Sequence, residues 1–333
     1  MSILLLIAVF LSGGIGALFL ARFFDNRLAG LWAHAISAVG SVLGLSIAGA
    51  VLFYGSLGTL DIPLLAGRIA AADALPPAVA FAAALMTAGL MAKTALLPLH
   101  LWLPPAHAGA PAPASAVLSA LVVKGSFFLV LRLWFDVMPA LPGLPAASVL
   151  GALGACAILL GNLVALGQVR LKLLVAYSTV AQIGYLFLIF PLAVGAGSGP
   201  ALTAGTLQIV SHAIAKAAMF LAAGIIAYAL GHDRVRDLGG IARALPVTVL
   251  GFALAGLSLV GLQPSGGYLV KALLQSAADL TGQGAWSLVP LAGGLLTAAY
   301  LVRVLACALS GPRPSLVQGP SRPQEWLVLA LAL

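Results

Sequence analysis

The sequence predicts an all-α fold, a polytopic bundle of transmembrane helices, and three observations lead there. Of 333 residues, 62% are hydrophobic and only 7% charged, too little polar surface to cover a soluble globule. Apolar windows of about 20 residues, the length that crosses a hydrocarbon core, recur through the whole chain. The connections between them are short apart from the Gly/Pro/Ala-rich stretch 104–114 and the polar stretch 231–244, so the chain reads as a single membrane domain over 1–333.

Taken in order, spans are expected near 2–20, 31–54, 77–103, 115–135, 144–167, 172–197, 200–230, 245–281 and 285–308. A tenth begins at Glu325 in "EWLVLALAL" and stops with the chain, as in a fragment or a shortened homologue. About nine to ten spans result. The first lacks the basic flank of a signal peptide and is followed at once by further spans, so it is read as a retained helix. Two spans carry a break. In 77–103 the helix meets Pro98, whose ring removes a backbone hydrogen bond and clashes with the preceding turn. In 245–281 the interruption is "GLQPSGGY", with Pro264, Gly266 and Gly267.

Charge placement supports one interrupted span at 245–281. Counted so, Arg22, Arg27, Arg170, Arg234, Arg236, Arg243, Arg313 and Arg322 fall on one side, and only Arg68 and Arg132 on the other. The positive-inside rule makes the richer side cytoplasmic. The same rule disposes of the net charge of +8, which in a soluble domain would suggest nucleic acid; no nucleic-acid partner is expected. Gly/Pro-interrupted spans in corresponding places of two halves are the sequence mark of inverted repeats around a transport site. The repeats are expected at about 1–135 and 144–310, each with one broken helix.

The lysines carry the chemistry. There are five, Lys93, Lys124, Lys172, Lys216 and Lys271, and all but Lys172 lie well inside apolar spans. A lysine at a helix centre costs about 2.5–3.5 kcal/mol on insertion scales, so these are expected to face one another or internal water. A desolvated amine can take up and release a proton, which a solvated ammonium at neutral pH does not. His212 and Lys216, four residues apart in "SHAIAKAAMF", share one helix face and complete a proton-relay set with Lys93, Lys124 and Lys271. Lys172 at the mouth of its span, His100 and His107 around the proline-rich turn, and Tyr177 and Gln182 in "LLVAYSTVAQIGYLF" are further relay candidates. Set against each is a plain structural use: a snorkelling cation, a packed histidine, a hydroxyl bonded back to its own helix. Cys156 and Cys307 stand alone in apolar runs without any His/Cys cluster, so neither a metal nor another cofactor is expected.

With those residues in place, the chain resembles the antiporter-like proton-translocating membrane subunits of respiratory complex I (NADH-quinone oxidoreductase), Mrp-type cation/proton antiporters and membrane-bound hydrogenases. The resemblance rests on "KTALLPLHLWLPPAHAGAPAPASAVLSALVVKGSFF", on "KLLVAYSTVAQIGYLFL" with "SHAIAKAAMFLAAG", on "GLSLVGLQPSGGYLVKALL", and on the preceding "YGSLGTLDI". It implies a core whose first four helices have no counterpart here, with two inverted five-helix repeats. It makes Lys93 the lysine of the first broken helix, Lys124 the bridging lysine after it, His212 and Lys216 the pair toward the central axis, and Lys271 the lysine of the second broken helix. It also implies a glutamate near residues 8–14, where "AVFLSGGIG" has none, and an acid after "WLP", where Pro105 stands. The implied function is proton translocation, with sodium exchange as an alternative, by a subunit that does no redox chemistry itself. Its partners would be the lipid bilayer and other membrane subunits of a multi-subunit complex in a prokaryotic inner membrane. A stand-alone transporter of a cation or small anion, and a non-conducting structural subunit, are the alternative functions.

Overall fold

A computed structural model describes residue 40 and residues 44–333, other than 73, 139–143 and 194. The expected span 2–20 and the first part of 31–54 lie outside the described residues. Those described are helical with no β-strand, apart from one isolated bridge between Arg170 and Arg234. In chain order the helices are α1 (Gly44–Leu57), α2 (Ile62–Ala70), α3 (Pro77–Thr94), α4 (Leu103–Gly109), α5 (Ala112–Val137) and α6 (Ala146–Gly167). There follow α7 (Leu171–Leu192), α8 (Ser198–Leu230), α9 (Pro246–Val260), α10 (Gly266–Leu280), α11 (Gly284–Leu309) and α12 (Arg322–Ala332). Among the described residues six of these are long and apolar enough to cross a membrane alone, or seven if the bent pair α1–α2 counts as one.

The chain divides into two compact units. The first takes in the described residues up to Ala95, with Leu99–Trp102 and Val123–Pro145. The second takes in Leu96–Pro98, Leu103–Val122 and Ala146–Leu333. In the first, α2 is an element the sequence reading left as connection. Asp61 starts it by accepting the Leu64 amide at 3.0 Å, and it turns 53° from α1. α3 is tied to the far half of α5 by Thr94 Oγ1 donating to Ser126 Oγ at 2.9 Å, and to the chain beyond its end by the Trp102 indole donating to Ala92 O at 2.8 Å.

In the second unit the polar side chains point inward and much of the apolar surface points out. Ser178, Gln182, His212, Lys216, Asn162 and Thr297 are buried, while Leu160, Leu163, Val210, Leu291 and Leu295 are exposed. That inversion suits a protein whose solvent is lipid. The innermost helix is α7, and it meets α6 through small residues. A Cβ at Gly154 would lie 2.7 Å from Gly184 O, and one at Gly161 would lie 2.8 Å from Ala181 N. Close backbone approach through small residues is how helices associate where lipid removes the hydrophobic drive. Gly184→Leu is therefore expected to cost about 1–3 kcal/mol by overpacking, read as a lower thermal midpoint of the detergent-solubilised protein; parental stability would show that α6 and α7 separate there freely.

The interruption at 245–281 is real. α9 and α10 have 15 residues each, about 22 Å, which is too short to cross a core of about 30 Å singly. They run end to end along α8. Ser258, near the end of α9, pairs with Ser211 at 3.3 Å; a Cβ on Gly266, where α10 starts, would meet the same Ser211; and Ala277 and Thr281, where α10 ends, border Gly197 at the start of α8. Loops at the other end of α8 are tied together by backbone bonds from Leu171 N to Asp233 O (2.7 Å), Val235 N to Val169 O (2.8 Å) and Val317 N to Ala229 O (2.8 Å). Arg170, Arg234, Arg236, Arg313 and Arg322 lie on or beside those loops, so one end of this unit is rich in arginine.

Candidate functional site

Two helix faces build a buried polar axis in the second unit. On α7, Ser178, Gln182 and Tyr185 recur at steps of four and three, which is one face of a helix. On α8, Gln208, His212 and Lys216 recur every four. The two faces meet. Lys216 Nζ donates to Val175 O at 3.1 Å and to the Ser178 hydroxyl. Gln208 Nε2 donates to Gln182 Oε1 at 3.0 Å, and Gln182 Nε2 donates onward to Leu259 O at 3.3 Å, at the C-terminus of α9. His212 is 1% exposed, one turn from Lys216. Neither α7 nor α8 carries a carboxylate, so the polar partners seen for Lys216 are neutral.

The far end of the axis is the break itself. α9 stops at Gly261, whose φ of +86° is the left-handed conformation that glycine adopts without a steric penalty. The chain then turns through Pro264, and Ser265 caps α10 by accepting the Tyr268 amide at 3.3 Å. Gly267 packs directly against the Ser258 carbonyl, leaving no room for a side chain. Lys271, one turn into α10, folds back over the gap. Its ammonium donates to Val260 O and lies 3.5 Å from Leu259 O, the negative end of a half-helix. The Tyr185 ring stands 5.4 Å away. Leu259 O thus receives Gln182 from one side and Lys271 from the other. The stretch of α7 from Ser178 to Tyr185 rises about 10 Å and joins the surroundings of Lys216 to those of Lys271.

The other candidates fall elsewhere. Lys124 is buried, two residues past a π-helical stretch of α5 at Leu118–Val122, the kind of helix defect that gathers at functional sites. Lys93 is exposed, contrary to the expectation that it faces the interior. It sits on the last turn of α3, where its long stem leaves a face packed through Met91, Ala92 and Thr94. The backbone beyond it turns left-handed at Ala95, φ +62°, three residues before Pro98; Gly261 stands at the same distance before Pro264. Lys172 donates to Ala110 O at 2.6 Å, tying the proline-rich turn to the start of α7. His107 is fully buried and stacks on Phe220 with centroids 4.3 Å apart, His100 is half-buried, and Tyr177 packs against the apolar core.

Three residues of the axis and its margin escaped the sequence reading. Gln208 lies one turn before His212 on the same face, a spacing signal that was there to use. Asn162 and Thr297 had no local signal. Thr297 Oγ1 donates to Gly293 O at 2.8 Å and approaches Asn162 Oδ1 at 3.2 Å, across 135 positions of chain. Among the described residues no cluster of His, Cys, Asp or Glu could hold a metal ion.

The chain is 36% identical over 241 residues to NADH-quinone oxidoreductase subunit N of Desulforudis audaxviator (strain MP104C), covering 72% of this chain and 47% of the relative. It is 32% identical over 306 residues to NADH-quinone oxidoreductase subunit L of Mycobacterium tuberculosis (strain CDC 1551 / Oshkosh), covering 86% and 46%. The chain thus spans about half the length of the curated relatives it matches. A chain of the Mrp complex from Dietzia sp. DQ12-45-1b superposes with a TM-score of 0.77 at 29% identity, over 86% of this chain and 51% of that one. Residues 2–297 match the transmembrane family described as NADH:quinone oxidoreductase/Mrp antiporter, and the chain belongs to that family of integral membrane proteins.

Proposed function

We propose that this chain is a proton-translocating, antiporter-like subunit of a complex I-like or Mrp-like assembly in a prokaryotic cytoplasmic membrane. His212, Lys216 and Lys271 pass protons along an intramembrane axis, Lys124 and Lys93 carry protons in the first half, with Lys93 at the first broken helix, and the chain does no redox chemistry of its own. The observation that carries this reading is the α7–α8 stripe. It sets hydroxyl, amide and carbonyl groups between two lysines along helices α7 and α8, which carry no carboxylate, an arrangement with little use in a merely structural bundle. Hydroxyls and amides both donate and accept, so they can order water between protonatable groups. The arginine-rich end is cytoplasmic by the positive-inside rule. The two breaks, each with a left-handed residue three before a proline, support inverted repeats at about 1–135 and 144–310.

The assembly supplies the energy source. The test is to purify the chain in its native complex, reconstitute it in vesicles and drive it with the complex's own reaction. Proton movement that stops when Lys124 or Lys216 is replaced supports the reading. Sodium movement without proton movement, or unchanged proton movement in the variants, overturns it.

A further inference from the structure

A groove of about 730 Å³ opens on the surface of the second unit, between the first turns of α5, the last turns of α8 and the start of α12. Its α8 wall is Leu221, Gly224, Ile225 and Tyr228, the i, i+3, i+4, i+7 stripe of one helix face, which rises about 10 Å. Val117 of α5 and Leu327 of α12 line it as well, and both are exposed. α5 and α8 touch at Ala112 and Gly224, and the small size of both residues sets the floor. The body of the groove is apolar, and its polar lining, Tyr228, Ser321 and Gln324, is gathered toward one end.

That end is the arginine-rich one. α8 finishes there, and α5 and α12 start there. Lys172 holds Ala110 O just before α5, and Val317 N donates to Ala229 O (2.8 Å), which carries the approach to α12 across the end of α8. Arg322 is exposed and stands between Ser321 and Gln324 in the chain. α5 begins behind Pro111 without a side-chain cap, so its first amides keep the positive end of the helix open. The acids are turned elsewhere: Glu325 accepts Thr248 of α9 at 2.9 Å, and Asp233 pairs with Arg170 at 2.9 Å. The mouth is therefore cationic and the depth apolar. By the positive-inside rule the mouth lies at the level of the cytoplasmic headgroups, where an interfacial tyrosine such as Tyr228 belongs, and the groove runs from there into the hydrocarbon along α8.

We propose that this groove holds one acyl chain of an anionic phospholipid, with the headgroup phosphate at Arg322, Ser321 and the start of α5. A phosphate takes charge-assisted hydrogen bonds from a guanidinium and free amides, and basic pockets at the cytoplasmic ends of membrane helices are where such headgroups are held. A zwitterionic lipid brings a cation that the arginine-rich end repels, so the site favours a headgroup with net negative charge. The lipid touches α5, α8 and α12 together, so its binding stabilises the seating of α12. None of these residues belongs to the relay set, and the site stands independently of the function proposed above.

The test uses the assembled complex in nanodiscs of phosphatidylcholine, with and without phosphatidylglycerol. Electron cryomicroscopy of the mixed sample is expected to show chain-shaped density along Leu221–Tyr228, ending in a headgroup beside Arg322. The thermal midpoint is expected to rise by several degrees when phosphatidylglycerol is present. Val117→Trp fills the groove and Arg322→Gln removes the cation; both positions are exposed, and each variant is expected to lose the density and the rise. Equal density in phosphatidylcholine alone, no rise in the parent, or a rise that persists in either variant reduces the groove to ordinary annular lipid and overturns the site. A helix of a neighbouring subunit lying in the groove overturns it too. Should a variant fail to assemble, the parent's density and its dependence on phosphatidylglycerol still decide.

Discussion

Lys216→Arg is expected to abolish proton translocation by vesicles that hold a normal amount of assembled complex, as completely as Lys216→Met does. The argument turns on what each replacement keeps. Arginine retains the cation and its donors to Val175 O and Ser178 Oγ, but a guanidinium does not release its proton in a protein. Methionine retains the apolar stem and loses both charge and relay. If Lys216 serves only to bind a carbonyl and a hydroxyl of α7, arginine restores those bonds and methionine is the damaging change. If Lys216 must cycle between its two protonation states, both variants fail alike. A positioned proton carrier accounts for roughly 10²–10⁴-fold in rate, so the expected loss lies far outside the scatter of a vesicle assay. The site is fully buried, so the amount of assembled complex is measured in the same membranes. Parental pumping by Lys216→Arg eliminates the relay. Lys124→Arg is expected to behave in the same way.

The class of fold was legible because it depends on quantities summed along the chain: apolar windows, scarce charge, arginines on alternate connections. The break near Pro264 was legible for a local reason, since proline and paired glycines interrupt a helix wherever it packs. Lys216 with His212 was legible because four residues is a helical repeat. What escaped depends on partners far apart in sequence. Asn162 meets Thr297 across 135 positions, and neither residue is unusual in a membrane helix until the other is beside it. α2 escaped because "IPLLAGRIA" is nine residues, apolar but for Arg68, too short for any period to stand out. Lys93 misled for a physical reason: position within an apolar run says how deep a Cα lies, whereas a four-carbon stem near a helix end lets the ammonium reach the surface. Lys172 stood apart in the sequence by its place at the mouth of a span, and its bond to Ala110 O makes it a clamp on the proline-rich turn, a contact between distant positions that no spacing announces.

Gly294→Ala is expected to lower translocation, less than Lys271→Met does, although it removes no polar group. A Cβ at residue 294 would lie 2.8 Å from Lys271 Nζ and 3.1 Å from Val260 O, inside van der Waals contact with both members of the lysine–carbonyl pair. The α11 backbone has little freedom to retreat, because the neighbouring Gly293 already packs against Tyr185 and Ile158. The ammonium, at the end of a flexible stem, must therefore shift from its contact with the end of α9, where Gln182 reaches the Leu259 carbonyl from the other side. Lys271→Met empties the same seat by deleting the amine. The two variants separate position from presence. If Lys271 contributes only a positive charge somewhere near the break, Gly294→Ala keeps that charge and translocation persists. If the proton must pass through the seat at Leu259 and Val260, both variants lower it. Lys271→Met also leaves the half-helix carbonyls without their cation, an interaction worth on the order of 1 kcal/mol at a helix C-terminus. It should therefore lower the thermal midpoint of the complex as well, so stability and translocation are measured on the same preparations. Full translocation in Gly294→Ala, with the methyl group seen in place and the lysine displaced, would remove Lys271 from the path.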